Sequence, residues 1–333
     1  MSRLVLAGDL GGTKANLALF SVHQERLTPE QTATLPSADY PGVSELVRAF
    51  LEDESREIAA ACLGIAGPVR GTTVSTPNLP WVVDARRLQA DLGLVAVTLE
   101  NDLVATALGI AELPPEGVEV LQEGKPDPAG NAALIAPGTG LGEALLIRCG
   151  TDLVPVASEG GHASFAPNGD LQLDLLRFLA AEFGAVSAER VVSGPGLRNV
   201  YRFLTATGQA PESPRVRARM ESEDPSAVIS GEALGEADEA CVRALDLWLR
   251  AFGAEAGNLA LAALATGGVY LGGGIAPKVL PKLREGGFLE AFRAKGRLSG
   301  LLADIPVRVI LDPKAALYGA ARCAARRFAQ ELP

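Results

Sequence analysis

The chain has 333 residues, of which 48% are hydrophobic and 37 are glycine, enough for about two domains of ~150 residues each. Its net charge of −10 excludes broad electrostatic binding of nucleic acid or of an anionic membrane surface. The opening MSRLVLAGD meets an acid before a signal-peptide core could form, and the apolar run from Leu259 to Ala265 is too short to span a bilayer. Cys62, Cys149, Cys241 and Cys323 are scattered without a CxxC pair. Each reads as a small buried apolar residue, and the expectation is a cytoplasmic protein.

Leu4–Val5–Leu6 is an apolar run bounded by turn signals, and Leu17–Ala18–Leu19–Phe20 resumes it. Gly8, Gly11 and Gly12 stand between, so the stretch predicts a hairpin with a glycine-rich turn. Two readings of that turn stay open: an ordinary hairpin, or a phosphate cradle in which turn amides face anionic oxygens. In the second reading Asp9 lies beside phosphates, where only a cation makes a carboxylate welcome. A third strand is expected over Gln31 to Pro36. Val43, Leu46, Val47, Phe50 and Leu51 recur at helical spacing. Ala59 to Ile65 predicts a buried strand ending in Ala66-Gly67-Pro68. Trp81 to Leu92 predicts a helix with Asp84 near its start, Leu94 to Leu99 a strand, and Ala105 to Ala111 a helix.

Pro114-Pro115 and the stretch Gly124 to Gly130 mark a boundary, and from Asn131 the pattern starts again. Ala132 to Ala136 predicts a strand, Pro137 to Gly142 a glycine turn, and Glu143 to Ile147 and Leu153 to Ala157 two more strands. Leu171, Leu175, Leu176 and Leu179 have helical spacing. One long helical stretch is expected over Ala233 to Ala265. Val269 to Leu271 predicts a strand closed by Gly272-Gly273-Gly274, Val307 to Leu311 a last strand, and Ala315 to Phe328 a last helix. Two halves share one order, so their glycine turns are expected across one cleft, with a nucleotide between them.

Glu100-Asn101-Asp102 falls at the C-terminal end of a predicted strand, where open α/β sheets place ligand groups. Asp102 is the candidate general base for a hydroxyl attacking a phosphoryl group, and Asn101 has the donor and acceptor that adjacent sugar hydroxyls require. The same pair equally well caps the helix that follows. In Ser158-Glu159-Gly160-Gly161-His162 the acid and the histidine can both bond a polar ligand; a plain turn with a structural histidine is the alternative, and no Cys/His partners at ligand spacing point to a metal. His23 reads as solvated. Glu189, in Glu189-Arg190-Val191-Val192-Ser193-Gly194-Pro195-Gly196, reads as a helix-end charge or a surface ion pair unless a ligand claims it. Leu271 to Lys278, LGGGIAPK, has the form strand, glycine turn, helix, with Pro277 suited to a helix start.

The motifs DLGGT (Asp9 to Thr13), END (Glu100 to Asp102), PGTGLG (Pro137 to Gly142), SEGGH (Ser158 to His162), ERVVSGPGL (Glu189 to Leu197) and LGGGIAPK together resemble those of bacterial glucokinases of the proteobacterial type. The likeness runs nearly end to end, and nothing after His162 is similar to the cysteine-rich zinc motif of ROK sugar kinases. It implies the two-domain actin-like ATPase (ribonuclease H-like) α/β fold, with duplicated βββαβα halves around a central cleft. The implied domains are 1–112 plus 312–333 and 113–311. It implies ATP-dependent phosphorylation of D-glucose at its 6-hydroxyl, the first step of glycolysis, with Asp102 as base and Asn101, Asp102, Glu159, His162 and Glu189 as sugar-binding positions. Gly8, Asp9, Leu10, Gly11, Gly12 and Thr13 match the first phosphate loop, with Asp9 near Mg²⁺ and its contact indirect. Gly138 and Thr139 match the second phosphate loop, and Gly272, Gly273 and Gly274 the adenosine motif. A homodimer is also implied. One departure is Pro77-Asn78-Leu79-Pro80-Trp81, where relatives often carry a threonine before the asparagine. The rival readings are another hexose kinase or a polyphosphate-using glucokinase, a non-catalytic sugar sensor, and an actin-like ATPase that binds protein partners. The sensor would be expected to lose Asp102 or a phosphate loop.

Overall fold

The computed structural model describes residues 3–24, 26–67, 69–76, 79 and 81–330. Pro68, Pro77, Asn78 and Pro80 of the motifs above lie outside the described residues. Two compact units emerge. One takes in the described residues up to Gly117 and from Asp312 on, and the other is Val118–Leu311. The crossing at 117/118 comes later than the expected 112/113. Residues 113–117 stay with the first unit because Asp312 N donates to Gly117 O at 3.3 Å.

In the first unit the chain runs β1 (Arg3–Leu10), β2 (Lys14–His23), β3 (Arg26–Pro36), α1 (Val43–Phe50), β4 (Ile58–Ile65), β5 (Val69–Arg70), β6 (Thr73–Ser75), β7 (Val82–Asp84), α2 (Ala85–Leu92), β8 (Val97–Asn101) and α3 (Asp102–Gly109). The main sheet has the order β3-β2-β1-β4-β8. β1 is antiparallel to β2 and parallel to β4, which is parallel to β8. β1 and β4 are covered on both faces, as their near-continuous apolar runs require. α1 buries Val43, Leu46, Val47 and Phe50, one stripe of an amphipathic helix, into one of these faces.

The second unit continues with β9 (Val118–Gln122), β10 (Ala132–Pro137), β11 (Leu141–Cys149), β12 (Asp152–Ser158), α4 (Asp170–Phe183), α5 (Gly194–Ala206), α6 (Pro214–Met220), α7 (Pro225–Leu234), α8 (Glu239–Ala263), β13 (Gly268–Leu271), α9 (Leu280–Arg284), α10 (Gly287–Arg293), α11 (Ser299–Asp304) and β14 (Val307–Ile310). Its sheet order, β12-β11-β10-β13-β14-β9, repeats the first with β9 added antiparallel at one edge. α8 is the core of this unit, with Trp248 and Phe252 fully buried along it.

The chain then returns to the first unit as α12 (Ala315–Gln330). Leu317, Ala320, Ala321 and Ala324 cover Val5, Ala7, Ala18 and Cys62 on the sheet face opposite α1. α12 also crosses α3 backbone to backbone. A Cβ on Gly109 would lie 1.8 Å from Ala315 O, and one on Gly319 would lie 1.8 Å from Ala105 O, so only glycine fits at either position.

Several expectations are corrected. β3 begins at Arg26 rather than Gln31. The predicted helix from Trp81 is strand first: Val82 and Val83 pair with β6, and Asp84 caps α2 by accepting from the amides of Arg86 and Arg87. The strand expected at Leu94 starts at Val97 and runs on to Asn101. The long stretch from Ala233 breaks at Gly235–Asp238, where Glu236 has φ 52° and Asp238 caps α8. Pro277 lies in a turn, and α9 starts only at Leu280. Cys62 and Cys241 are buried, but Cys149, where β11 runs into its hairpin turn, is exposed and Cys323 is half-buried.

Candidate active site

The C-terminal ends of β1, β4 and β8 form one row, in which Asp9 stands beside Gly64 and Gly64 beside Glu100. α3 starts directly after β8. Asn101 caps it, its Oδ1 accepting from Leu103 N at 3.0 Å and Val104 N at 3.3 Å, while its Nδ2 donates to Gly67 O at 3.2 Å. Asp102 is the first helical residue, and its Oδ1 accepts from Leu103 N at 2.9 Å. A Cβ on Gly64 would lie 3.0 Å from Ala105 Cβ and 3.7 Å from Asp102 Cα, so the first turn of α3 rests on β4 and Asp102 comes close to Asp9. Burial and the Asp102 charge both raise the pKa of Asp9, against one donor, Asn16 Nδ2, at 3.2 Å. Asn16 is itself held by Thr34 Oγ1 at 2.8 Å. Glu100 is bonded by Cys323 Sγ of α12 at 3.8 Å, and burial raises its pKa.

Of the first glycine stretch, only Gly11 to Thr13 form the turn; Gly8 and Leu10 are buried in β1. Gly11 N donates to Lys14 O at 3.0 Å, and Ser37 braces the turn through Oγ to Gly11 O at 2.8 Å and N to Thr13 O at 3.1 Å. Among the described residues the amides of Gly12 and Thr13 meet no internal acceptor. The turn of the second unit repeats this. Gly138 N donates to Gly140 O at 2.8 Å, and the amides of Thr139 and Gly140 meet no internal acceptor among the described residues. Each turn thus leaves two amides for an anion.

The sugar-side candidates gather around that second turn. Gly160–His162 is a single 3-10 turn after β12, with Gly160 N donating to Ser158 Oγ at 2.9 Å and His162 N to Glu159 O at 3.0 Å. It is tied to the Ala188–Arg190 turn by Ala188 N donating to Ala163 O at 2.8 Å. Glu189 is no surface ion pair: its Oε2 accepts from Leu141 N at 3.0 Å, directly after the glycine turn. Ser193 caps α5 and donates to Glu189 O at 2.7 Å, Trp248 Nε1 donates to Ser193 O at 3.1 Å, and Gly194 N donates to Gly138 O at 2.8 Å. Glu159, His162, Glu189, Gly138 and Thr139 therefore share one hydrogen-bonded assembly. Gly272 and Gly273 join it: Gly272 N donates to Ile135 O at 2.9 Å, and a Cβ on Gly273 would lie 2.5 Å from Pro137 O. Gly274 borders open space.

A family model described as glucokinase matches residues 6–327. The chain belongs to the glucokinase family. A glucokinase of Nostoc punctiforme is 41% identical, over 97% of this chain and 99% of that one. A glucokinase of Yersinia pestis is 36% identical, over 100% and 99%. The crystal structure of a glucokinase from an Antarctic psychrotroph superposes with a TM-score of 0.86 at 32% identity, covering 97% of this chain and 99% of that one. A ROK family glucokinase from Streptomyces griseus shares the fold, with a TM-score of 0.64 at 23% identity, over 97% and 99%.

The candidate residues thus fall into two groups, each inside one unit: Asp9, Gly11 to Thr13, Asn101 and Asp102 in the first, and Gly138, Thr139, Glu159, His162, Glu189 and Gly272 to Gly274 in the second. Sequence reasoning missed three supporting residues. Asn16 is the polar break in ANLALF, a visible signal. Ser37 and Ser193 act through the chain's return path and left none.

Proposed function

We propose that this member of the glucokinase family transfers the γ-phosphoryl group of ATP to the 6-hydroxyl of D-glucose in one in-line step, with Asp102 as general base. One observation carries the reading: Asp102 opens α3 close to Asp9, the acid at the end of the strand that leads into the Gly11–Thr13 turn, so a proton acceptor and the turn amides belong to one end of the same sheet. Asn101 takes the capping bonds to Leu103 N and Val104 N, and Asp102 stands at the first position of the helix with its Oδ1 accepting from Leu103 N. As the 6-hydroxyl attacks, Asp102 accepts its proton, and the free turn amides bond the oxygens of the transferring group. Asn101, Glu159, His162 and Glu189 hold the other hydroxyls, and a sugar lacking one leaves a polar group unpaired.

Asp9 fits Mg²⁺: a part-buried carboxylate with one donor and a like charge beside it gains from a cation. When bound, the ion neutralises phosphate charge, and Asp9 is the residue that would hold it, through water. Residence in the cytoplasm and a homodimer belong to the same proposal; light scattering of the purified protein tests the dimer. Among the described residues no helix is long and apolar enough to cross a membrane.

A coupled assay of glucose 6-phosphate formed from glucose and MgATP tests the activity, with polyphosphate and other hexoses as controls. Asp102→Ala is expected to lower kcat by about 10³-fold and to keep its circular dichroism spectrum and ATP binding. Near-normal turnover in that folded variant would remove Asp102 from the role of base.

A further inference from the structure

Glu143 belongs to none of the motifs assigned above. It is the third residue of β11, opposite Ile135 of β10 and Ser158 of β12, and is only 4% exposed. Its Oε1 has no hydrogen-bond partner among the described residues. Its Oε2 fills the place where a side chain on residue 160 would go: a Cβ on Gly160 would lie 2.2 Å from it. Behind it, the Glu255 carboxyl of α8 is within hydrogen-bonding reach. Glu255 is half-buried and accepts from Asn258 Nδ2 at 3.0 Å. Lys295 Nζ donates to Asn258 Oδ1 and, at 2.8 Å, to Ala254 O, and its charge acts on Glu255. Ile135, Ser158 and Gly160 bring no charge to Glu143, and His162 on the same turn is exposed. Two carboxyl groups in contact bond only if one carries a proton. Lys295 and Asn258 stabilise the anion on Glu255, so the proton belongs to Glu143.

We propose that Glu143 is a positioning residue for the sugar-side turn: protonated, it donates to Glu255 and supports Gly160 from beneath, so that Glu159 and His162 are held in place. This rests on the reading that Glu159 and His162 face the sugar. Burial and Glu255 push its pKa up to about 7. Above that pH a second negative charge appears under the turn, and the two carboxylates repel. The turn loosens and glucose affinity falls, while Asp102, in the other unit, is untouched. No bond to substrate is made by Glu143, so its signature is a change in KM rather than in kcat.

The test uses the full-length protein and two readouts. Glucose KM is expected to rise about five-fold between about pH 6 and about pH 8.5, with a smaller change in kcat. Amide hydrogen exchange across Ser158–His162, corrected for intrinsic rate and measured without substrates, is expected to rise over the same range. Glu143→Gln keeps the donor and loses the titration, so both profiles become flat at their acid-side values. Glu255→Gln removes the repelling charge and is expected to flatten them as well, which covers failure of the first variant to fold. A flat exchange profile in the wild type, or a Glu143→Gln profile that titrates like the wild type, overturns the proposal. Exchange that titrates while KM stays constant overturns the link from the pair to the sugar. The underlying sugar reading fails separately, if His162→Ala and Glu159→Ala leave glucose KM unchanged.

Discussion

The two glycine hairpins, β1–β2 and β10–β11, share topology, each leaves two turn amides without an internal acceptor among the described residues, and each carries an acid just behind its turn. In both cases burial and a neighbouring carboxyl raise the acid's pKa: Asp102 beside Asp9, and Glu255 beside Glu143. They differ in where the acid sits and what reaches it. Asp9 is on the outgoing strand, part-buried, with Asn16 across from it as a donor. Glu143 is on the returning strand, buried, with Ile135 across and, among the described residues, no donor for Oε1. A carboxylate that keeps a donor and some water is suited to a cation. One that has neither takes a proton. In the functions proposed above, the same hairpin serves charge neutralisation in one unit and support of a turn in the other.

Breaking the cation side gives the largest effect. Asp9→Asn is expected to lower kcat by about 10²-fold and to raise the Mg²⁺ concentration needed for half-maximal rate; an unchanged Mg²⁺ titration would separate Asp9 from the ion. On the proton side, the folded protein holds the Glu143 proton between the unfolded value of 4.5 and about 7, where the unfolded chain has lost it. The wild type's unfolding free energy therefore falls as pH rises through that window and levels off above it. Glu143→Gln lacks this slope. Relative to the wild type it is expected to gain on the order of 2–3 kcal/mol across the window, read from urea melts at its two ends. Parallel stability curves would show that Glu143 ionises normally. Asn16→Ala is the mildest, removing the side-chain donor that Asp9 has among the described residues. It is expected to cost about five-fold in kcat/KM, with the loss recovered in part by excess Mg²⁺.

Much of this was legible in the sequence, and the limits have physical causes. Apolar runs ending in glycine clusters mark β1, β10 and β13 because buried parallel strands carry no alternation to confuse them. Asn101-Asp102 after a strand announced both a cap and an acid, and the structure divides these between the two side chains. β7 was hidden because Val82–Asp84 is a strand only through pairing with β6, a contact no local pattern encodes. The break between α7 and α8 was hidden because Ala233 to Ala265 has largely helical composition, and Gly235 and Asp238, which end one helix and cap the next, are the local signals against it. Glu143 was invisible as a functional residue. An acid in a strand reads as its solvent face, and only the packing of α8 and Gly160 against it puts it inside.

The glycine crossing of α3 and α12 has a consequence for how the molecule is made. The helix that starts with Asp102 leans on Gly319 and Ala315, which leave the ribosome some two hundred residues after it. Synthesis must pass through the whole of Val118–Leu311 before that support exists. The second unit can fold while the chain is still growing, whereas the first waits for α12. A nascent or truncated chain lacking α12 therefore completes the second unit while the start of α3 still lacks its support from Ala315 and Gly319.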